Sequence, residues 1–195
     1  MRAALDALVG HDLAFVLARW REPAYDMWEE ERGLHYHTLC VSAAALEAGA
    51  GVLEPGQSQA ALVDAHHIRT LLDEFWRPEH GFYASRLVHA GDPAKLLDIS
   101  VVFAVVHAWS GAAGAHTGGD PRIHATLDAL AGLFRSEYPI NRNCGAGPAM
   151  GRYRGDRYFS GGAYYFSTLA AAELCFRAAL LARGAEARRW CARGD

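Results

Sequence analysis

The most constraining feature of this sequence is the segment KLLDISVVFAVVHAW, residues 95–109, which is nearly unbroken in apolar residues. A helix that is apolar almost all round has to be buried on most of its sides. Other helices must therefore cover it. A chain of 195 residues with 51% hydrophobic content is long enough to do this within one compact domain.

Five further helices are predicted from apolar residues that recur every three or four positions, or from apolar runs that end at glycine. The first ends before Pro23, the second covers residues 35–50 and the third is capped by Ser58. Aspartate followed by proline marks two further starts, Asp92 for the apolar helix and Asp120 for the fifth. The predicted stripes are Val9, Leu13, Val16 and Trp20; Ala61, Ala65, Ile68, Leu72 and Phe75; Ile123, Leu127, Leu130 and Phe134; and Tyr165, Leu169, Ala172, Phe176 and Leu180.

These elements predict an all-α fold. Six helices form hairpins arranged in two layers, and the one extended piece covers residues 82–88. The connection between the fifth and sixth helices, residues 140–162, is too long to be a simple linker. Long ordered loops in compact domains are commonly functional, so we expect functional residues there.

Charge and composition exclude several classes of function. The 19 basic and 22 acidic residues nearly balance and the basic ones are scattered, which argues against a nucleic-acid partner. No run of 18 apolar residues predicts a membrane span, and the first ten residues lack the features of a signal peptide, so we expect a cytoplasmic chain. The four cysteines are far apart and are predicted to be free, mostly buried thiols. The histidines lack the spacing of metal ligands, and no phosphate loop or serine-hydrolase motif is present.

The first stretch with chemistry suited to sugars is AYDMWEEERG, residues 24–33. Hydrolysis of a glycosidic bond needs a carboxylic acid that protonates the leaving oxygen. Tyr25 and Trp28 can stack on sugar rings and lower the local dielectric, which favours a protonated glutamate. The alternative is a solvated acidic turn ahead of the second helix, where the helix dipole favours negative charge.

The second stretch is GRYRGDRYFSGGAYYF, residues 151–166. Arg152 and Asp156 can donate to and accept from several hydroxyls, and six aromatic residues offer flat apolar faces, as in a sugar pocket. The alternative is a surface salt-bridge cluster before a helix. The residues alone leave both interpretations open.

Both stretches, in this order, resemble the fungal-type glucoamylases of glycoside hydrolase family 15. YDMWEEERGLHYHTLCVSAAALEAG is similar to the family's Y-D-L-W-E-E region, and GRYRGDRYFSGGAYYFSTLAAAEL to its G-R-Y-P-E-D-x-Y-x-x-G-N-P-W-F-x-x-T-L-A-A-A-E segment. The resemblance covers essentially the whole chain. It implies that residues 1–195 are the central portion of a catalytic domain that hydrolyses terminal α-1,4-linked glucose from the non-reducing ends of starch-like glucans or maltooligosaccharides. Inversion at the anomeric carbon, without a cofactor or a metal, is part of that expectation.

The resemblance also implies roles for individual residues. Glu29 matches the general acid, and Glu30 matches the residue that hydrogen-bonds the sugar beside the cleavage point. Trp28 would help to wall the pocket, and Tyr164 stands where the family usually has tryptophan. The complete set of substrate contacts implied is Trp28, Glu30, Arg152, Asp156 and Tyr164. Outer positions such as Arg154 depart from the family pattern, which leaves action on α-1,6 glucans or trehalose open.

The family fold is a toroid of six helical hairpins, of which this chain resembles about half. The family's upstream arginine–aspartate pair and its downstream general base are not found in this sequence. We therefore expect exposed helix faces and little or no turnover by this chain alone. Its partner would be the remainder of its own catalytic domain. Two alternatives stay open, namely a non-catalytic helical sugar-binding module and a purely structural piece.

Overall fold

The computed structural model describes residues 2–87, 95–145 and 147–195. Within these residues the chain forms seven α-helices and two antiparallel sheets of two short strands each. The helices are α1 (Arg2–Arg19), α2 (Tyr36–Gly49), α3 (Pro55–Leu72), α4 (Ser100–His107), α5 (Pro121–Glu137), α6 (Tyr165–Leu181) and α7 (Gly184–Gly194). The strands are β1 (Ala24–Tyr25), β2 (Arg32–Gly33), β3 (Trp76–Arg77) and β4 (Phe82–Tyr83).

Helix α4 lies at the centre of the fold. It packs between α2 and α6, while α1 and α3 pack on α2, α5 packs on α4, and α7 packs on α6. Every residue of α4 from Ser100 to Val106 is buried. The all-α class and the buried central helix are therefore confirmed.

Two of the four predicted apolar stripes hold at every residue. All apolar residues predicted to line the third and fifth helices are buried. Helix α5 begins as predicted, because the Asp120 side chain accepts a hydrogen bond from the backbone N–H of Arg122. The prediction that Ser58 caps α3 is wrong. This helix begins three residues earlier, at Pro55, where proline's fixed φ suits the first helical position. The start predicted at Asp92 lies outside the described residues, but the prediction that this helix runs through residues 95–99 is wrong. Helix α4 begins at Ser100, because Asp98 forms a β-bridge with Tyr153 and its side chain accepts from the Ser100 N–H.

The sequence pattern did not predict α7, because its segment GAEARRWCARG has no apolar stripe. The helix is held instead by tight packing on α6. An added Cβ on Gly194 would come within 3.0 Å of the Phe176 ring, so the two helices meet at a glycine. Trp190 also packs against the core.

The stripe predicted for α6 lies on the wrong face of the helix. Tyr165 is 92% exposed, Leu169 66% and Leu180 76%. The buried face consists largely of small side chains, which allow neighbouring helices to approach closely: Ser167, Ala170, Ala171, Leu174, Cys175 and Ala178. Large apolar residues on α6 are thus uncovered, as the resemblance to part of a toroid predicts.

Three loops, which precede helices α2, α4 and α6, are joined to one another by β-bridges. The hairpin β1–β2 leads into α2, whose preceding residue His35 pairs with Arg86 in a β-bridge. Asp98, ahead of α4, forms a bridge with Tyr153, which lies in the loop ahead of α6. The candidate site lies where these loops meet.

Candidate active site

The acidic stretch forms a short loop wrapped around the Asp26 carboxylate. The Asp26 N–H donates to the carbonyl of Glu31 at 3.0 Å, and its Oδ1 accepts from the backbone N–H groups of Glu30 at 2.8 Å and Glu31 at 3.4 Å. This loop turns back so sharply that Glu29 adopts a left-handed backbone conformation, with φ of 59°. The three glutamates therefore have distinct, fixed backbone positions.

Glu30 joins the acidic stretch to the second polar stretch. Its Oε1 accepts from Arg152 Nη2 at 2.9 Å, and its Oε2 accepts from Lys95 Nζ at 2.7 Å and from the Tyr153 hydroxyl at 2.6 Å. Burial alone would raise the pKa of Glu30. The hydrogen bonds from Lys95 and Tyr153 and the charges of Lys95 and Arg152 outweigh it, so this pKa lies below its usual value. Glu30 is thus an ionised carboxylate at neutral pH.

Arg152 is locked in place by Asp156. Its Nε donates to Asp156 Oδ2 at 2.7 Å and its Nη2 donates to Asp156 Oδ1, in a two-pronged pair. The Asp156 side chain is only 1% exposed, and Arg152 as a whole is 4% exposed. These bonds, together with the one to Glu30, use Nε and Nη2, which leaves Nη1 of Arg152 for a further acceptor. Asp156 therefore orients Arg152 before any ligand is present.

Aromatic rings surround the Arg152 guanidinium on several sides. Its central carbon lies 5.0 Å from the ring centre of Trp28, 5.4 Å from that of Tyr153 and 4.9 Å from that of Tyr158, within the range of cation–π attraction. This packing explains the low exposure of Arg152. The predicted contact residues Trp28, Glu30, Arg152 and Asp156 thus form one cluster.

Tyr164 joins the cluster through its neighbours. Its ring stacks on Phe166 with centroids 5.0 Å apart, and Phe166 lies 6.0 Å from Trp28. The Tyr164 hydroxyl donates to the backbone carbonyl of Tyr158. A continuous row of aromatic side chains therefore runs from Tyr164 to the acidic loop.

Glu29 differs from the two glutamates that follow it. Glu30 is bound as described above, and Glu31 forms an ion pair with Arg86. Glu29 is exposed, and its side chain makes no hydrogen bond or ion pair with the residues that the structure describes. Of the three, it is the carboxyl group that is not engaged by another described residue.

Sequence reasoning missed Lys95 and Asp98 as parts of this cluster. Besides Glu30, Lys95 Nζ also pairs with Asp26 Oδ2 at 2.8 Å. Asp98 is 1% exposed and accepts hydrogen bonds from the indole N–H of Trp28 and from the Ser100 N–H. Both residues stand out in the sequence. Lys95 is the one lysine among 19 basic residues, and Asp98 is the one acidic residue in the apolar segment.

Burial raises the pKa of Asp98 to about 7, although hydrogen bonds from Ser100 and Trp28 and the charge of Lys95 oppose the shift. A carboxyl group with such a pKa changes its charge near neutral pH. Asp98 is therefore a titrating group directly behind Trp28.

Other features bear on cofactors and membranes. Within residues 2–87, 95–145 and 147–195, no group of three or more His, Cys, Asp or Glu side chains is placed to hold a metal ion. The four cysteines are free, as predicted, but only Cys40 and Cys175 are buried. No helix in the described part of the chain combines the length and the apolar character needed to cross a membrane.

Comparison with known proteins finds one family along nearly the whole chain. The family described as Glycosyl hydrolases family 15 matches residues 1–191. Glucoamylase 1 of Rhizopus oryzae is 32% identical over 179 residues, which cover 86% of this chain and 30% of that protein. A probable glucoamylase of Schizosaccharomyces pombe is 31% identical over 179 residues, covering 86% of this chain and 36% of that protein.

The fold is also found among solved structures. A glycoside hydrolase family 15 glucoamylase from Hypocrea jecorina superposes with a TM-score of 0.80 at 24% identity, over 93% of this chain and 33% of that one. A glucoamylase from Saccharomycopsis fibuligera superposes with a TM-score of 0.78 at 19% identity, over 87% of this chain and 38% of that one. This chain thus spans about a third of the length of the relatives that it matches.

Proposed function

From the fact that this chain belongs to glycosyl hydrolase family 15, we propose that it forms the proton-donating part of a glycosidase site for α-1,4-linked glucans. The site releases glucose from non-reducing chain ends. The observation that carries the proposal is the direct bond between Glu30 and Arg152, which are 122 residues apart. This bond joins the carboxylate-rich loop to the aromatic, arginine-containing loop in one cluster.

Glu29 is the general acid in this proposal. Its carboxyl proton goes to the glycosidic oxygen as the bond from that oxygen to C1 breaks, and water attacks C1 from the opposite face. A second carboxylate takes a proton from that water and is supplied by another part of the catalytic domain. The exposure of Glu29 supports the assignment, because the neighbouring glutamates are bound by cations of the chain itself.

The sugar is held by groups around Glu29. A carboxylate oxygen has about two lone-pair sites, so Glu30 Oε1, with one bond to Arg152, can accept a sugar hydroxyl as well. Arg152 offers Nη1, and Asp156 keeps its guanidinium oriented. Trp28 and Tyr164 supply apolar faces for sugar rings.

The partner of this chain is the remainder of the catalytic domain, with residues 1–195 as its central portion. The exposed apolar face of α6, with Tyr165, Leu169 and Leu180, supports this, since large uncovered apolar faces mark interaction surfaces. The α1 residues Leu5 and Phe15 are 58% and 64% exposed in the same way.

Turnover is tested by measuring glucose release from maltose by the purified chain and by the Glu29→Gln variant. We expect little or no release from either protein, because water activation needs the second carboxylate. Release by the unmodified chain clearly above that of the variant would overturn the view that this chain supplies only one part of the site.

Binding separates the proposal from its alternatives. The chain, Glu29→Gln and the surface control Glu47→Gln are titrated with maltose and with acarbose, whose basic linking nitrogen takes the place of a glycosidic oxygen. A general acid at position 29 predicts that Glu29→Gln weakens acarbose binding about tenfold, because a charge-assisted hydrogen bond is lost. Equal binding by all three proteins would indicate a non-catalytic sugar-binding module. Binding of neither sugar would indicate a structural piece.

A further inference from the structure

A buried carboxyl group holds the aromatic residue next to the proposed acid. The indole N–H of Trp28 lies 3.0 Å from Asp98 Oδ2 and 3.2 Å from Oδ1. Asp98 Oδ1 also accepts from the backbone N–H of Ser100 at 2.7 Å. The Asp98 side chain is thus bound to the first turn of α4 and to the acidic loop at the same time.

The backbone around Asp98 is fixed to the loop that carries Arg152. Asp98 forms a β-bridge with Tyr153, and the N–H of Ile99 donates to the carbonyl of Arg152 at 2.9 Å. One short segment therefore contacts both sides of the candidate site. Its side chain holds Trp28, and its backbone holds the chain at Arg152.

We propose that Asp98 is a positioning residue that fixes the indole of Trp28 beneath the guanidinium of Arg152. The two groups lie 5.0 Å apart, so a rotation of the indole would remove one face of the aromatic cage around Arg152. Loss of this face would let the guanidinium move relative to Glu30. The effect on sugar binding rests on the proposed function, whereas the effect on Trp28 and Arg152 does not.

Asp98 acts through Trp28 and does not meet the substrate. At 1% exposure, its carboxyl group is closed to bulk water and sugar, and both oxygens face donors of the protein. These features do not suit a general base, which must reach a water molecule beside the sugar.

The chain contains a matched control for this contact. The indole N–H of Trp20 donates to Asp64 Oδ2, also at 3.0 Å, in the packing of α1 on α3. The Asp64 side chain is 17% exposed and also pairs with Arg21 at 2.8 Å, and within the described residues no hydrogen bond or ion pair joins this group to the candidate site. Substitution of Asp64 therefore tests what the loss of an indole–carboxylate bond does elsewhere in the same protein.

The test is an NMR comparison of the unmodified chain with Asp98→Asn and Asp64→Asn. Trp28→Phe assigns the Trp28 indole N–H signal, and the Nε–H of Arg152, held by Asp156, reports on the guanidinium. We expect Asp98→Asn to shift the Trp28 signal upfield and to displace the Arg152 signal, which senses the Trp28 ring current. Asp64→Asn should shift the Trp20 signal and leave Trp28 and Arg152 unchanged.

An unchanged Arg152 signal in Asp98→Asn would overturn the proposal, as would a Trp28 signal that does not move. If Asp98→Asn does not fold, Asp98→Glu tests the same contact, because the longer side chain keeps the carboxyl group but displaces it from the indole N–H. The Trp28 and Arg152 signals should again move, and unchanged signals would also contradict the proposal.

Sugar titration is the second arm of the experiment. Asp98→Asn should weaken maltose binding about fivefold, which corresponds to weakening one hydrogen bond by about 1 kcal/mol, and Asp64→Asn should not. If the unmodified chain binds no sugar, the proposed function fails, while the NMR signals still decide whether Asp98 positions Trp28 and Arg152.

Discussion

The raised pKa of Asp98 predicts that the contribution of this residue to folding stability falls as pH rises towards neutral. Its pKa is about 7 in the folded chain against 3.8 for an ordinary aspartate, because burial disfavours the charged form. Between these values the folded state binds one more proton than the unfolded state, so the free energy of unfolding decreases by about 1.4 kcal/mol per pH unit. This stabilisation is complete below pH 3.8 and is lost as pH rises through 7.

The loss is measurable with a variant that does not titrate. From about pH 5 to about pH 8 the contribution of Asp98 falls by about 3 kcal/mol, while the uncharged amide of the Asp98→Asn variant contributes a constant amount. Urea unfolding of both proteins at several pH values gives the difference between their free energies of unfolding. The lowered pKa values of His35, His37 and His116 make stability rise with pH in the acidic range, but they are common to both proteins and cancel. A difference constant within about 0.5 kcal/mol over this pH range would refute the reasoning.

Three other substitutions test the geometry of the site through urea unfolding. The free energy of unfolding of Glu29→Gly should be about 1 kcal/mol higher than that of Glu29→Ala, because glycine adopts a positive φ without strain. An alanine variant of equal or greater stability would contradict the left-handed conformation of residue 29. Gly151→Ala should lower the free energy of unfolding by about 1–3 kcal/mol, since its Cβ would overlap the Tyr138 hydroxyl. The control Gly132→Ala, in open space on α5, should raise the free energy of unfolding by up to about 1 kcal/mol. Equal effects at both positions would contradict the close contact between Gly151 and Tyr138. Lys95→Ala should lower the free energy of unfolding by about 3 kcal/mol, because it leaves the buried Asp26 carboxylate without its counter-charge. A loss as small as that of the exposed-pair control Arg19→Ala, below about 1 kcal/mol, would show that Lys95 does not hold the cluster.

The sequence predicted those parts of the fold in which a helix buries its largest apolar residues. This holds for α3 and α5, and for α4, where burial on every side leaves no choice of face. In α6 the pattern misleads, because the face that packs closely is made largely of alanine and other small residues, and the large residues point outwards. Hydrophobicity ranks alanine below leucine, but close contact between helices favours small side chains. A rule based on large apolar residues therefore selects the wrong face.

The candidate site was predictable only in part, for a different reason. Residue types identify the acidic loop and the arginine-containing loop as suited to sugars, but nothing in their spacing brings Glu30 next to Arg152 across 122 residues. That expectation comes from resemblance to a family. The apolar pattern places Lys95 and Asp98 in a buried helix, although a charged residue in an apolar segment needs a partner or a shifted pKa. The partners of these two side chains include Asp26, Trp28 and Glu30 of the acidic loop, which the apolar pattern does not reveal.

The distribution of charge around the acidic loop separates its three glutamates. Lys95 and Arg152 bind Glu30 and lower its pKa, and Arg86 forms an ion pair with Glu31. A proton donor needs the opposite surroundings, because a cation at bonding distance would favour loss of its proton. Within the described residues, Glu29 is the member of the run with no cation at that distance. The same loop holds Glu29 in a strained backbone conformation, and such strain persists where the surrounding structure fixes a residue for a task. Charge and backbone geometry therefore favour the same residue as the acid.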